Sequence, residues 1–388
     1  MRSFRNSRFA IRLQYARQRW RKAMRLMAVR YWRKNWVRWY FRNRDYAPAP
    51  SMVTLRMTNQ CNLRCTQCGQ WGENGAFHDR AEARTKELST NEWRRFIDQI
   101  ADDCPHVYFF GGEPMLRPDL LSLIRYASDR HVITGVNTNG TILRGRAQAI
   151  VDSGLDYIMV SLDGPREVNN LIRIGTPDAF GIAASGIQEL VEARRRSGRA
   201  CPLIEVFMTL TTKNQTEILR TASIARELGA DYFSLAAGMF TTAELAAASA
   251  REYRAEFGID PAFYHGFVRD VAGMNAAAIM RDVQAVRSLL GGRFKEYPPI
   301  DFDLDKYFHQ PEQKLHNRPC IAPWLTMQIM PDGTLSFCED FADLPCGNVT
   351  QEHPLELWNN SRSRAWRRRI RTKGVFAAES RCVAHHLY

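Results

Sequence analysis

The stretch Cys61-Asn62-Leu63-Arg64-Cys65-Thr66-Gln67-Cys68 puts three thiols into eight residues. A C-x3-C-x2-C loop brings three soft sulfurs within reach of one centre. Three thiolates can hold three irons of a [4Fe-4S] cluster and leave the fourth iron open to a small molecule. The competing reading is a zinc loop. That reading needs a fourth ligand, and His78 is the nearest candidate.

Working outward, each neighbouring element ends in the same way. Val53 to Met57 is an apolar run that feeds the cysteine loop, and His106 to Phe110 runs straight into Gly111-Gly112-Glu113-Pro114. Val132 to Val136 closes on Asn137-Thr138-Asn139-Gly140, and Tyr157 to Val160 closes on Ser161-Leu162-Asp163-Gly164. Further strands are expected at 203–209 and 231–235. Helical patterns fall at 90–101, 118–129, 143–153, 179–197 and 214–228. Six alternating strand–helix units predict an α/β fold, a partial (β/α)6 barrel of parallel strands. Polar residues at the C-terminal ends of such strands form the usual site of a parallel barrel.

These motifs resemble those of the radical S-adenosylmethionine (SAM) superfamily over roughly residues 51 to 240, and again from about 316. The resemblance implies that Cys61, Cys65 and Cys68 carry the SAM-binding [4Fe-4S] cluster. Gly111, Gly112, Glu113 and Pro114 are similar to the family's GGEP segment, which binds the methionine amino group. Two glycines allow close backbone approach, and a carboxylate can pair with an ammonium. Asn139, Ser161 and Asp163 resemble the strand ends that contact ribose and carboxylate, and Arg173 stands where relatives place an arginine for the carboxylate. The chain departs from the family at Gln67, where many relatives have an aromatic residue. Trp71 is the substitute expected to pack on the adenine.

A second cysteine group lies near the end. Cys320 and Cys338 flank Pro331-Asp332-Gly333-Thr334, a hairpin turn signal, so the hairpin can bring both thiols to one site. This segment resembles a SPASM or Twitch domain, which implies an auxiliary [4Fe-4S] cluster. Cys320, Cys338 and Cys382 are the expected ligands. Cys346 and His385 compete for the fourth place, and an open position is the third alternative. A structural zinc site competes with the whole set. Cys104 and Cys201 read as structural thiols.

The charge is unevenly placed. The chain has a net charge of +13, yet residues 1 to 44 hold 15 Lys/Arg and no Asp/Glu. The remaining 39 Lys/Arg face 41 Asp/Glu, so the excess sits entirely in this arm. Phe9, Leu13, Ala16, Trp20, Met24, Met27 and Tyr31 recur at helical spacing, which predicts a basic amphipathic helix. Docking on an anionic membrane, binding RNA or an acidic peptide, and packing on the enzyme itself compete as its role. No run approaches the length of a membrane span. Odd, clustered cysteines argue against disulfides and for a reducing cytoplasm, with the arm peripheral on the inner membrane face.

The expected organisation is an arm over 1–50, a barrel over 51–242, a helical connector over 243–315 and a small α+β cluster domain over 316–388. The resemblance implies reductive cleavage of SAM to a 5′-deoxyadenosyl radical, fed by an electron donor such as flavodoxin or ferredoxin. That radical takes hydrogen from a substrate carbon, and the auxiliary cluster assists oxidation, epimerisation or cross-linking. The substrate expected is a peptide or a carbohydrate or lipid-linked intermediate. The reading from a different class is a non-enzymatic iron–sulfur or zinc protein whose arm binds membrane or RNA.

Overall fold

The computed structural model describes residues 22, 45–78, 86–300, 302–315, 319–383 and 385. Its framework is one nine-stranded sheet in the order β7-β6-β5-β4-β3-β2-β1-β8-β9. The first six strands are β1 (Met52–Arg56), β2 (His106–Phe110), β3 (Ile133–Thr138), β4 (Tyr157–Ser161), β5 (Leu203–Thr209) and β6 (Tyr232–Ala236). All pair in parallel with their sequence neighbours. Helices α1 (Thr90–Ile100), α2 (Leu120–Asp129), α3 (Ala147–Asp152), α4 (Arg166–Ile172), α5 (Ala179–Arg196) and α6 (Ile218–Glu227) make the crossovers.

The alternation along each strand decides which face it buries. Val53, Leu55 and Met57 are completely buried, as are Val107 and Phe109 on the next strand. These side chains share one apolar core with Trp93, Ile97, Leu123 and Ile124 from α1 and α2. Each such side chain contributes about 1.5–3 kcal/mol when removed from water. The alternate positions, Thr54, Arg56, Tyr108, Phe110, Tyr157 and Glu205, turn to the concave side. Helix α1 starts sharply because Ser89 and Glu92 form a capping box, with Glu92 Oε2 accepting the Ser89 amide at 2.7 Å.

The expected six-strand barrel is present and is longer at both edges. Strand β7 (Phe294–Tyr297) adds in parallel beside β6 and lies inside the stretch expected to be helical. The helices of that stretch are α7 (Ala243–Phe257) and α8 (Ala276–Leu290), and α9 (Leu304–His309) follows β7. The C-terminal hairpin, β8 (Thr326–Ile329) and β9 (Leu335–Ser336), does not stand apart. Strand β8 pairs in parallel with β1, with Val53 opposite Met327. No pairing links β7 to β9 among the described residues, so the sheet is an open partial barrel.

Helices α10 (Pro354–Trp358) and α11 (Ser361–Lys373) clasp the chain where it enters β1. Asn359 exchanges two 2.9 Å hydrogen bonds with the backbone of Ala47, and the Trp358 indole donates to Pro48 O at 2.8 Å. Arg368 and Arg371 both pair with Asp45 at 2.8 Å.

The amphipathic helix expected over the arm lies outside the described residues, apart from Lys22. Lys22 is 3% exposed and its Nζ donates to Asp156 Oδ2 at 2.6 Å and Ser128 Oγ at 3.1 Å. Asp156, just before β4, also accepts the Thr134 amide at 2.9 Å. At this one position the arm faces the barrel. Among the described residues no helix is long and apolar enough to cross a membrane.

Candidate cluster and cofactor site

The cysteine loop leaves the C-terminal end of β1 and is pinned by backbone bonds to the segment after α4. The Arg64 amide donates to Ile174 O at 2.6 Å and the Thr66 amide to Ile172 O at 2.9 Å. Two sulfurs receive backbone donors: the Leu63 amide to Cys61 Sγ at 3.4 Å and the Trp71 amide to Cys68 Sγ at 3.3 Å. Burial pushes the Cys61 thiol up to about 11 and the Cys65 thiol up to about 12, with mutual repulsion adding to both. Proton-holding, crowded thiols with amides aimed at sulfur suit a cationic iron centre, which replaces the protons. The donor set therefore fits three-point cluster ligation.

The GGEP segment lies against the same loop. The Gly112 amide donates to Thr58 O and the Glu113 amide to Gln60 O, both at 2.8 Å. A Cβ on Gly112 would stand 2.1 Å from Gln60 O, so only glycine permits this approach. Glu113 is fully buried. Its Oε2 accepts the Asn139 amide at 2.7 Å, and its Oε1 accepts Thr138 Oγ1 at 2.8 Å and the Met115 amide at 2.9 Å. Burial dominates these bonds and raises its pKa to about 7. Glu113 thus locks the end of β3 to the end of β2. Pro114 opens the short turn that follows.

Asn139 reaches the loop, donating to Asn62 Oδ1 at 2.8 Å and lying 4.0 Å from Cys61 Sγ. Asp163 pairs with Arg173 at 2.8 Å and accepts from Gln67 Nε2 at 2.5 Å and from the Thr209 amide at 2.9 Å. The Arg173 guanidinium is held charged by Asp163, then by Cys65 and Cys61, against the opposing effect of burial. Its Nε has no hydrogen-bond partner. Ser161 is buried at the end of β4. Gln67, the departure from the family pattern, thus tethers the loop to Asp163. Trp71 is already engaged: its indole donates to Asn59 O at 2.7 Å and the Arg64 guanidinium lies 4.2 Å over its ring.

The second cysteine set is assembled from distant segments. Cys338 follows β9 and its thiol contacts that of Cys382, and Cys320 is close enough to feel the charge of Cys338. His385 sits on the next turn, its amide donating to Cys382 O at 3.1 Å. Cys346 has different neighbours. Its thiol contacts Leu344 O at 3.7 Å and Ser363, and the charges facing it are Arg362 and Arg367.

A sulfur-bearing mouth on an open parallel barrel, with a second sulfur group behind it, defines a cofactor-dependent α/β barrel protein. Residues 55–239 match the family model of the radical SAM superfamily, and residues 320–383 match that of an iron–sulfur cluster-binding domain, SPASM. The chain belongs to the radical SAM superfamily and carries a C-terminal SPASM domain. It is 37% identical to the Fe-coproporphyrin III synthase of Methanosarcina barkeri over 143 residues, 36% of this chain and 34% of that one. It is 26% identical to the PqqA peptide cyclase of Gluconobacter oxydans over 324 residues, 81% of this chain and 78% of that one. Streptococcus suis SuiB bound to S-adenosylmethionine shares the fold, with a TM-score of 0.58 at 16% identity, covering 83% of this chain and 68% of that one. The chain spans between a third and a half of the length of the first curated relatives it matches. The cofactors of the family are a [4Fe-4S] cluster and SAM, with auxiliary iron–sulfur clusters in SPASM domains.

Sequence reasoning missed the polar side chains inside the barrel. Glu205 pairs with Lys295 and accepts from Ser234 Oγ at 2.5 Å. Glu339 Oε1 accepts from Thr54 Oγ1 at 2.5 Å, and Tyr108 stacks on Tyr157 with ring centres 6.1 Å apart. Period-two alternation in β1 was the available signal: Arg56 interrupts the buried set Val53, Leu55, Met57.

Proposed function

We propose that this chain is an enzyme that uses SAM to remove hydrogen from a peptide-like substrate held in the barrel, with oxidative modification as the outcome. Cys61, Cys65 and Cys68 hold the SAM-binding cluster in this reading, and Cys320, Cys338 and Cys382 hold the auxiliary one. Bound there, the cluster and SAM supply reductive cleavage of the sulfonium and a hydrogen-abstracting 5′-deoxyadenosyl radical. Glu113, which holds the ends of β2 and β3 together, would shape the place of the SAM amino group, and Arg173 would take its carboxylate. Asp163 orients Arg173, and Gln67 fixes the loop against Asp163.

One observation carries this reading: three crowded thiols sit at the mouth of a parallel barrel beside a buried arginine, Arg173, held by Asp163. The names of two relatives, a peptide cyclase and a porphyrin synthase, support substrates with several polar groups. Of the two substrate classes expected from sequence, that favours the peptide. The test is anaerobic reconstitution with iron counting and a 5′-deoxyadenosine assay under a strong reductant. About eight irons and reductive SAM cleavage are expected. Zinc in place of iron, or no cleavage, sinks the enzyme reading.

A further inference from the structure

Arg56 is the last residue of β1 and its side chain is completely buried. Its Nη2 donates to Glu339 O at 2.6 Å. Its Nε and Nη1 have no hydrogen-bond partner, and among the described residues it forms no ion pair. The nearby acids do not meet this need. Glu339 Oε1 accepts from Thr54 and no ion pair joins Glu339 to Arg56 among the described residues, while Asp340 faces both Arg56 and Arg269 without a hydrogen bond to either. Arg269 is held instead by the backbone oxygens of Gln67 and Met239.

Three aromatic rings surround the Arg56 guanidinium: Phe263 at 5.5 Å, Phe77 at 5.9 Å and Phe110 at 6.0 Å. Buried arginines are normally paired, because a desolvated charge with unmet donors is strongly unfavourable. An edge made by the second Nη2 hydrogen and an adjoining free donor, Nε or Nη1, matches a carboxylate. The place is also apt, since Cys68 and Cys338 are both among the charged neighbours of Arg56. It therefore lies near a cysteine of each set, where a substrate would have to lie to meet both.

The geometry points to Arg56 as the anchor for a substrate carboxylate borne on an apolar or aromatic group that packs among Phe77, Phe110 and Phe263. This rests on the enzymatic reading above and adds the chemical class that the barrel accepts. Arg56 positions the substrate and takes no part in proton or electron transfer.

The probes are 3-phenylpropionate and its uncharged amide, 3-phenylpropanamide, titrated calorimetrically into the anaerobically reconstituted full chain with SAM present. The acid is expected to bind on the order of ten- to a hundredfold more tightly than the amide. Arg56→Gln removes that preference, and Arg56→Lys keeps part of it. Iron content of each variant reports whether it has folded. If Arg56→Gln fails to fold, the acid-over-amide preference of the wild type and its reduction in Arg56→Lys still decide the matter. Equal binding of acid and amide, no binding to the wild type, or a preference that survives Arg56→Gln overturns the assignment. A wild type that holds eight irons and cleaves SAM but shows no acid preference loses this inference alone. A wild type that does neither loses the enzymatic reading instead.

Discussion

The two cysteine groups differ in how the chain assembles them. Cys61, Cys65 and Cys68 sit within eight residues, and their loop is shaped by local turns and two backbone bonds to the Ile172–Ile174 segment. Cys320, Cys338 and Cys382 come from a turn before β8, the end of β9 and the turn after α11. The first site keeps its spacing even in a loosened fold. The second exists only when the hairpin has paired with β1 and α10 and α11 have closed over residues 45–48. Local sites tolerate tertiary damage, and assembled sites report on it.

The largest effects separate the two groups outright. Cys65→Ser is expected to lose about four irons and all 5′-deoxyadenosine formation. Cys338→Ser is expected to lose about four irons from the C-terminal set and to keep those of the loop. Iron counting with EPR reads both. Loss of all iron in Cys338→Ser would show that the two sites are one cooperative assembly, and the contrast would fall.

A smaller effect comes from Glu113 beside the first loop. Its folded pKa of about 7 lies above the ordinary value of 4.5. An acid shifted upward by folding stabilises the protein while protonated. The metal-free protein should therefore lose stability as pH rises from 4.5 to about 7, by no more than about 3 kcal/mol from this group. Glu339 and Glu379 shift in the same direction. Denaturant melts at several pH values test this, and Glu113→Gln should lower the slope. A slope that rises with pH in this window contradicts it.

The smallest effect concerns Cys346. Because its thiol faces Ser363 and Leu344 O, Cys346→Ala should retain the full iron count and cost about 1 kcal/mol of stability. Loss of about four irons would make it the fourth ligand and sharpen the assembled site to four cysteines.

The same division between local and assembled explains what could be read in the sequence. Strands β1 to β6 announced themselves as short apolar runs, most of them ending in Gly, Asn or Asp, and the first cysteine loop needed no tertiary information. Strand β7 did not, because Phe294-Lys295-Glu296-Tyr297 is only four residues long and two of them are charged. The strand character of β8 was legible in the hairpin signal. Its parallel partner β1 lies some 270 residues earlier, and no local pattern encodes that pairing. Arg56 and Asp340 were missed for the same reason. Each looks like an ordinary polar residue until the fold brings the segment after β9 beside the end of β1.

One contact far from the sulfurs has its own consequence. The strands run parallel, so Lys22 and Asp156, which meets it just before β4, lie at the end of the barrel opposite Cys61. Removing the ammonium would strand a carboxylate in the interior, a defect of about 3–5 kcal/mol. A chimera without a cation at the place of Lys22 would need a change at Asp156 as well. Lys22 and Asp156 would therefore have to be exchanged together.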